Sequence, residues 1–178
     1  MNIFNSPARP FYQSVSMMHL DAIPLVAYKP FVKGLFTENE KYITDELVEE
    51  VYDFFEGHTW YVQLAMNELY ILTAKEETCD KPMLKTALDN IIAMQDFTYQ
   101  EIFSRLPDKQ KEVIVAIAKE KKAEGVTSAR FIKQYRLSSS SSVQSGLKGL
   151  MEKDMVTQEQ GVYQVYDKLL GVWLRRNY

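Results

Sequence analysis

Few residues of this chain have the types and spacing that catalysis or metal binding requires. The two histidines, His19 and His58, are far apart in the sequence, and Cys79 is the single cysteine. Neither histidine lies at a metal-ligand spacing from the cysteine or from a pair of carboxylates. We therefore predict no catalytic residue, no metal ligand and no intrachain disulfide.

Nucleotide hydrolysis by this chain alone is also not expected. None of the seven glycines is followed by lysine, so the loop G-x-x-x-x-G-K-[S/T], which cradles phosphates, is missing. No apolar strand ends in Asp-Glu, the pair that would hold a magnesium ion. We expect that the chain is not an enzyme and that it binds no cofactor by itself.

One helical face carries side chains that could contact an anionic partner. Over residues 139–153, Val143, Leu147 and Leu150 recur at helical spacing and predict the inner face. The outer face then carries Ser140, Ser141, Gln144, Ser145, Lys148 and Glu152. Glutamine, lysine, arginine and serine are side chains that contact base edges and phosphates. The candidate nucleic-acid-binding residues are Lys133, Arg136, Ser140, Gln144 and Lys148.

The elements around this face follow the order helix, tight turn, helix, β-hairpin. Thr127 can cap a short helix, and Arg136 lies in the turn before the second helix. Two alternating runs, 155–159 and 162–165, meet at Gln160 and Gly161, where glycine favours a hairpin turn. This order is that of a winged helix, in which the second helix enters a groove and the hairpin forms the wing.

The remaining sequence predicts helices. Thr44 and Asp80 can cap two of them, and a restart at Pro107 with Asp108 as cap marks a boundary. Residues 20–25 resemble a short strand that ends at a proline. The predicted fold class is mainly α, with a helical lid-like bundle followed by a winged-helix domain that adds a small β-hairpin. We predict segments 1–28, 29–105 and 106–178.

Charge divides the chain in two. Residues 1–106 carry 8 Lys+Arg and 16 Asp+Glu, whereas residues 107–178 carry 13 and 8. The net charges are therefore −8 and +5, which makes the second part the better candidate for an anionic partner. No apolar run is long enough to span a membrane, and no signal-like segment opens the chain, so we expect a cytoplasmic protein without a membrane partner.

Four motifs of the chain can be compared with a known family: Arg9-Pro10-Phe11-Tyr12, residues 31–36, Gly57-His58-Thr59-Trp60-Tyr61-Val62-Gln63 and the closing run 167–176. Together they resemble the C-terminal part of a prokaryotic, archaeal-type AAA+ ATPase close to the STAND ATPases. The fourth motif follows the winged helix, and the third resembles the Gly-His-Pro-Tyr-Tyr-x-Gln signature of the family's lid, with Thr59 in place of proline. The resemblance implies a lid and a winged helix that follow a P-loop core, of which residues 1–28 would be a remnant.

The resemblance also implies where nucleotide would lie. Gly57 and His58 would face the adenosine or the phosphates, and Arg9 would lie near a phosphate or a neighbouring subunit. ATP and magnesium would belong to the complete family protein, and the missing P-loop core would be the chief partner. From the residues alone, Gly57 is equally a helix C-cap, His58 a loop residue and Arg9 a surface arginine.

Two other functions stay open. The winged helix could bind duplex DNA as a transcriptional regulator, with the acidic bundle as a dimerisation or effector domain. It could also be a protein-interaction module without a nucleic-acid role. A DNA-binding regulator requires binding to duplex DNA that weakens as salt rises, whereas an ATPase fragment is expected to expose apolar surface near its N-terminus.

Overall fold

The computed structural model describes residues 21–178 of the 178-residue chain. Its elements are α1 (Leu25–Thr37), β1 (Tyr42–Ile43), α2 (Asp45–Phe54), α3 (Thr59–Leu72), β2 (Thr78–Cys79), α4 (Lys81–Ser104), α5 (Asp108–Glu120), α6 (Ala129–Gln134), α7 (Ser140–Glu152), β3 (Val156–Glu159), β4 (Val162–Val165) and α8 (Lys168–Asn177). Most described residues are helical, and a β-hairpin precedes the last helix. The predicted fold class is confirmed. Within residues 21–178, every helix is too short or too polar to cross a lipid bilayer.

Side-chain caps fix where several helices begin. The Thr44 hydroxyl accepts from the Leu47 N–H at the start of α2, and the Asp80 carboxylate accepts from the Met83 N–H at the start of α4. Both caps were expected from the sequence, because threonine and aspartate satisfy N–H groups that a helix start leaves free. Local sequence therefore sets these two boundaries.

Two predicted caps were wrong by one residue. Ser128, and not Thr127, accepts from the Phe131 N–H at 3.2 Å, so α6 starts at Ala129. Pro107 occupies the cap position of α5, and Asp108 is already helical. Asp108 therefore lies in the first turn, where its charge faces the positive end of the helix dipole but caps no N–H.

The predicted strand over residues 20–25 is not formed in its described part. Residues 21–24 have no regular secondary structure, and Leu25 begins α1; Leu20 lies outside the described residues. Pro24 takes the cap position with φ −57°, an angle that suits a helix start. Helix α1 begins at Leu25, so Pro30 lies in its interior. The bundle does contain one short pair of strands, β1 and β2, which run parallel with Tyr42 opposite Thr78.

The helical bundle consists of α1 to α4 with β1 and β2. Its core takes Val32 and Phe36 from α1, Val48 and Val51 from α2, and Leu69 from α3. The sequence pattern predicts that Phe31 and Leu35 share one face of α1 with Val32 and Phe36, and that Trp60 and Tyr61 are core aromatic residues. This is wrong for three of them, which are exposed: Phe31 (58%), Leu35 (44%) and Trp60 (57%). On α1 the buried residues follow i, i+4 and i+8, and Phe31 and Leu35 lie on the flank of that stripe.

The second packed unit consists of α5 to α8 with β3 and β4. Val143, Leu147 and Leu150 of α7 are buried as predicted. Strands β3 and β4 pair antiparallel, with Val156 opposite Val165. Gln160 and Gly161 form the tight turn with φ of 48° and 86°, which explains the glycine.

Candidate functional site

The lid-like signature lies at the start of α3. Gly57 has φ +71°, and its N–H donates to the Tyr52 carbonyl at 2.9 Å. Glycine is favoured here for two reasons. The positive φ strains any other residue, and a Cβ would lie 2.7 Å from the Tyr52 hydroxyl oxygen. The predicted helix C-cap at Gly57 was wrong by two residues, because Phe55 is the C-cap of α2 and Gly57 lies in the turn that follows.

His58 occupies the cap position of α3 and is exposed. Its side chain caps no N–H group, and no side chain among residues 21–178 accepts a hydrogen bond from the first turn of α3. Helix N-termini with free N–H groups attract anions. The His58 ring lies 4.7 Å from the Tyr61 ring, centroid to centroid, and the neighbouring Trp60 is exposed. The predicted core role of Tyr61 is confirmed, whereas that of Trp60 is wrong.

The residue that precedes Gly57 ties this segment to the winged-helix part. The Glu56 carboxylate forms ion pairs with Lys122, at 2.7 Å, and with Lys168. The hydrogen bonds from Lys122 and then Lys168 lower the pKa of Glu56. A cavity of about 440 Å³ lies beside these pairs, with Lys121 and Arg175 in its walls.

A partly buried hydrogen-bond cluster forms the second connection. Asp167 caps α8 by accepting from the N–H groups of Leu169 and Leu170. Its two carboxylate oxygens also accept from the hydroxyls of Tyr61 and Tyr99, each at 3.1 Å. Burial, and then the negative charge of Asp167, raises the pKa of both tyrosines, so both remain neutral donors.

A third connection joins α4 to α8. The Trp173 indole N–H donates to Asp96 at 2.6 Å, and the ring is buried beside Tyr99 and Phe103. The closing apolar run predicts a core position for Trp173, and its burial confirms this prediction. The bundle and the winged-helix part therefore pack as one unit, and α3 contacts α8 through a polar cluster.

These connecting residues were not predicted from the sequence. Asp167 precedes an apolar helical run, a pattern that predicts a helix cap. Its tyrosine partners were not, because they lie 106 and 68 residues away in the chain. Glu56 and Asp96 gave no local signal, since each is one of many surface acidic residues.

The predicted nucleic-acid-binding residues all lie at the surface: Lys133, Arg136, Ser140, Gln144 and Lys148. The structure brings the first two to the end of α6, one turn before Ser140 opens α7. Arg136 adopts φ +54°, in the turn predicted for it. Among the described residues, Lys148 forms only a 4.0 Å contact with Glu152. Arg9, the third predicted nucleotide contact, lies outside the described residues.

Comparison with known proteins identifies the C-terminal part alone. Residues 97–176 match the model of a family described as a probable winged helix domain. The match begins within α4 and ends within α8. No curated protein and no solved structure matches the chain. Together with the order of α5 to α8 and the β3–β4 hairpin, the family match identifies residues 97–176 as a winged helix domain.

Proposed function

We propose that this chain is the lid and winged-helix portion of an AAA+/STAND-like ATPase, without catalytic activity of its own. The observation that carries the proposal is the open start of α3. There Gly57 and His58 of the lid-like signature precede a helix N-terminus that has no side-chain cap. This arrangement supports contact with an anionic ligand, which in the resembling family is nucleotide.

In this proposal each residue has a chemical role. The free N–H groups at the start of α3 bind a phosphate oxygen, and the His58 imidazole donates a further hydrogen bond. Gly57 is buried against Tyr52, and its positive φ directs the chain into the start of α3. Arg9 supplies positive charge near a phosphate or a neighbouring subunit. A P-loop core on the complete protein would hold ATP and magnesium, and we expect such a protein to act in the cytoplasm.

The connections between the bundle and the winged helix supply the coupling. Glu56 adjoins the proposed nucleotide segment and pairs with Lys122 and Lys168. Three residues after His58, Tyr61 binds Asp167 at the start of α8. A shift at the start of α3 on nucleotide binding is therefore transmitted to the winged helix, which contacts a protein partner.

Exposed apolar residues of α1 also support the proposal that a packing partner is missing. Phe31 is 58% exposed and Leu35 is 44% exposed, one turn apart on α1, the first described helix. Adjacent exposed apolar side chains on one helix are typical of a surface that another polypeptide covers.

The test begins with the DNA that precedes the codon of Met1. If it encodes a P-loop and an Asp-Glu strand in frame, the complete polypeptide is purified and its ATP affinity measured. We expect His58→Ala to weaken ATP binding about tenfold to a hundredfold, as the loss of one hydrogen bond to a charged group predicts. The matched control is Asn177→Ala, at the far end of α8. A chain without any such core, or an unchanged affinity in His58→Ala, contradicts the proposal.

The uncovered polar face of α7 favours duplex DNA as a second candidate ligand. Ser140, Gln144 and Lys148 are exposed together there. If this face binds DNA, a labelled duplex binds the chain with an affinity that falls steeply as salt rises. The double variant Arg136→Glu/Lys148→Glu then loses binding, while Lys75→Glu/Lys85→Glu in the bundle retains it. Equal binding by both variants excludes this face.

A further inference from the structure

The cavity beside the Glu56 ion pairs is bordered by both parts of the molecule. Phe54 and Glu56 belong to the bundle, whereas Lys121 and Arg175 belong to the winged-helix part. Its volume of about 440 Å³ falls within the range of small-molecule sites, about 300–1,000 Å³. A ligand of that size would therefore contact both parts at once.

The guanidinium of Arg175 borders this cavity without a counter-charge. Its Nη1 atom donates to the Ala118 carbonyl at 3.0 Å, and no carboxylate of residues 21–178 forms an ion pair with it. Arg176, the next residue, differs because it pairs with Asp89 at 2.7 Å. Burial, and then the charge of Arg176, lowers the pKa of Arg175. A guanidinium has five N–H donors, so several remain for an anion.

Three acidic side chains also border the cavity, but none of them neutralises Arg175. Glu56 already pairs with two lysines of the winged-helix part. Glu120 accepts a hydrogen bond from the Tyr135 hydroxyl. Asp53 is exposed, so water and salt screen its charge. The guanidinium is therefore a partly buried cation that an incoming anion can pair with.

The rest of the cavity wall defines what else the ligand must contain. Lys121, unlike Lys122, forms no ion pair within residues 21–178, and it adds a second cation. Phe54, Val165 and Val172 supply apolar surface. A bare inorganic ion would contact little of that surface and fill only a small part of the volume. The complementary ligand is therefore an anion with an apolar body.

We propose that this cavity binds a small organic anion whose phosphate or carboxylate group lies against Arg175. The planar guanidinium can donate two parallel hydrogen bonds to either group. Lys121 contributes a second positive charge, and Phe54 and Val172 pack on the apolar part of the ligand. Because the cavity borders both parts of the molecule, the bound anion adds a link between them. The inference goes beyond the proposed nucleotide response and does not depend on it.

The test is ligand-observed NMR with four small probes and the intact chain at low salt. Phenyl phosphate and phenylacetate carry the two candidate anionic groups, whereas phenylacetamide is neutral and phenethylamine is cationic. We expect at least one anion to bind, with a dissociation constant on the order of 1 mM for a probe of this size. The amide and the amine should bind roughly tenfold more weakly, because neither forms a charge pair with Arg175. The tighter anion identifies the preferred charged group.

Substitutions in the cavity wall locate the bound anion. Arg175→Gln should weaken binding by about tenfold or more, as the loss of a hydrogen-bonded charge pair predicts. Arg175→Lys, which keeps the charge, should restore part of the affinity. The matched control Arg176→Gln changes the neighbour that pairs with Asp89 and should leave the affinity unchanged. Lys121 is exposed, so Lys121→Gln should weaken binding only roughly twofold to fivefold.

Circular dichroism verifies the fold of each variant, and Lys121→Gln keeps the test decisive if Arg175→Gln does not fold. Equal binding of the anionic and neutral probes overturns the proposal. So does an affinity that is unchanged in the folded cavity variants, or an equal loss in Arg176→Gln. A loss in His58→Ala that Arg175→Gln does not share also overturns it, because the anion then binds at the start of α3.

Discussion

The hydroxyl of Tyr61 donates a hydrogen bond to the Oδ1 atom of Asp167 at 3.1 Å, across 106 residues of chain. The same oxygen also accepts from the Leu169 N–H at 2.9 Å. One carboxylate thus caps a helix of the winged helix domain and fixes that helix to α3 of the bundle. Because Tyr61 is buried, the hydrogen bond is shielded from competing water.

Removal of either tyrosine hydroxyl should destabilise the protein. Tyr61→Phe and Tyr99→Phe each remove one hydrogen bond to a carboxylate, and each should lower the free energy of unfolding by about 1–3 kcal/mol. Urea denaturation of both single variants and of the double variant measures the effect. Because both hydroxyls bind Asp167, their effects should not be additive. Strict additivity would show that the two bonds act independently.

Removal of the carboxylate itself should cost more than removal of either tyrosine hydroxyl. Asp167→Ala deletes the cap of α8 and leaves two buried hydroxyls without their acceptor. We expect a loss of about 3–5 kcal/mol in the free energy of unfolding, from the cap and from the unpaired polar groups. Asp80→Ala, which deletes only the cap of α4, is the matched control at about 1 kcal/mol. Equal losses in the two variants would contradict the proposed double role.

Alanine substitutions at Gly57 and Gly161 compare the cost of backbone strain alone with the cost of strain plus a steric clash. Both have positive φ, but a Cβ on Gly57 would meet the Tyr52 ring, whereas nothing lies within 4 Å of a Cβ on Gly161. We expect Gly161→Ala to cost about 1 kcal/mol, from the φ angle alone. Gly57→Ala should cost clearly more, roughly 2–4 kcal/mol, because Tyr52 must also shift. Thermal or urea unfolding of the two variants gives this comparison.

The ion pairs of Glu56 predict a pH dependence of stability. The pKa of Glu56 is lowered in the folded protein by hydrogen bonds from Lys122 and Lys168. A lowered folded-state pKa contributes stability above the unfolded-state pKa, near 4.3, and this contribution is lost as pH falls through the folded value. The stability difference between the wild type and Glu56→Gln should therefore be largest at neutral pH and shrink below about pH 4.

Urea titrations at pH 7 and pH 3.5 measure this difference. Added salt at pH 7 should also reduce it, because Glu56 is partly exposed and its pairs are screened. Glu38→Gln, on an exposed residue that forms none of the described ion pairs, provides the control. A Glu56→Gln difference that grew as pH fell would contradict the assignment.

The sequence by itself determined the local features of this protein. The inner face of α7 with Val143 and Leu147, the hairpin turn at Gly161 and the caps at Thr44 and Asp80 follow from short-range rules of periodicity and capping. These rules act within about one helical turn, so a single stretch of sequence contains all the information. They sufficed for the fold class and for the order of elements in the winged helix.

Tertiary structure alone decided which faces are covered and which distant residues meet. Phe31 and Trp60 are as apolar as their buried neighbours, and only the absence of a covering element within the described chain leaves them exposed. The partners of Asp167 come from two helices of the bundle, and the pairing depends on how these helices pack against α8. Packing is a property of several elements together, so no local pattern of residues could encode it.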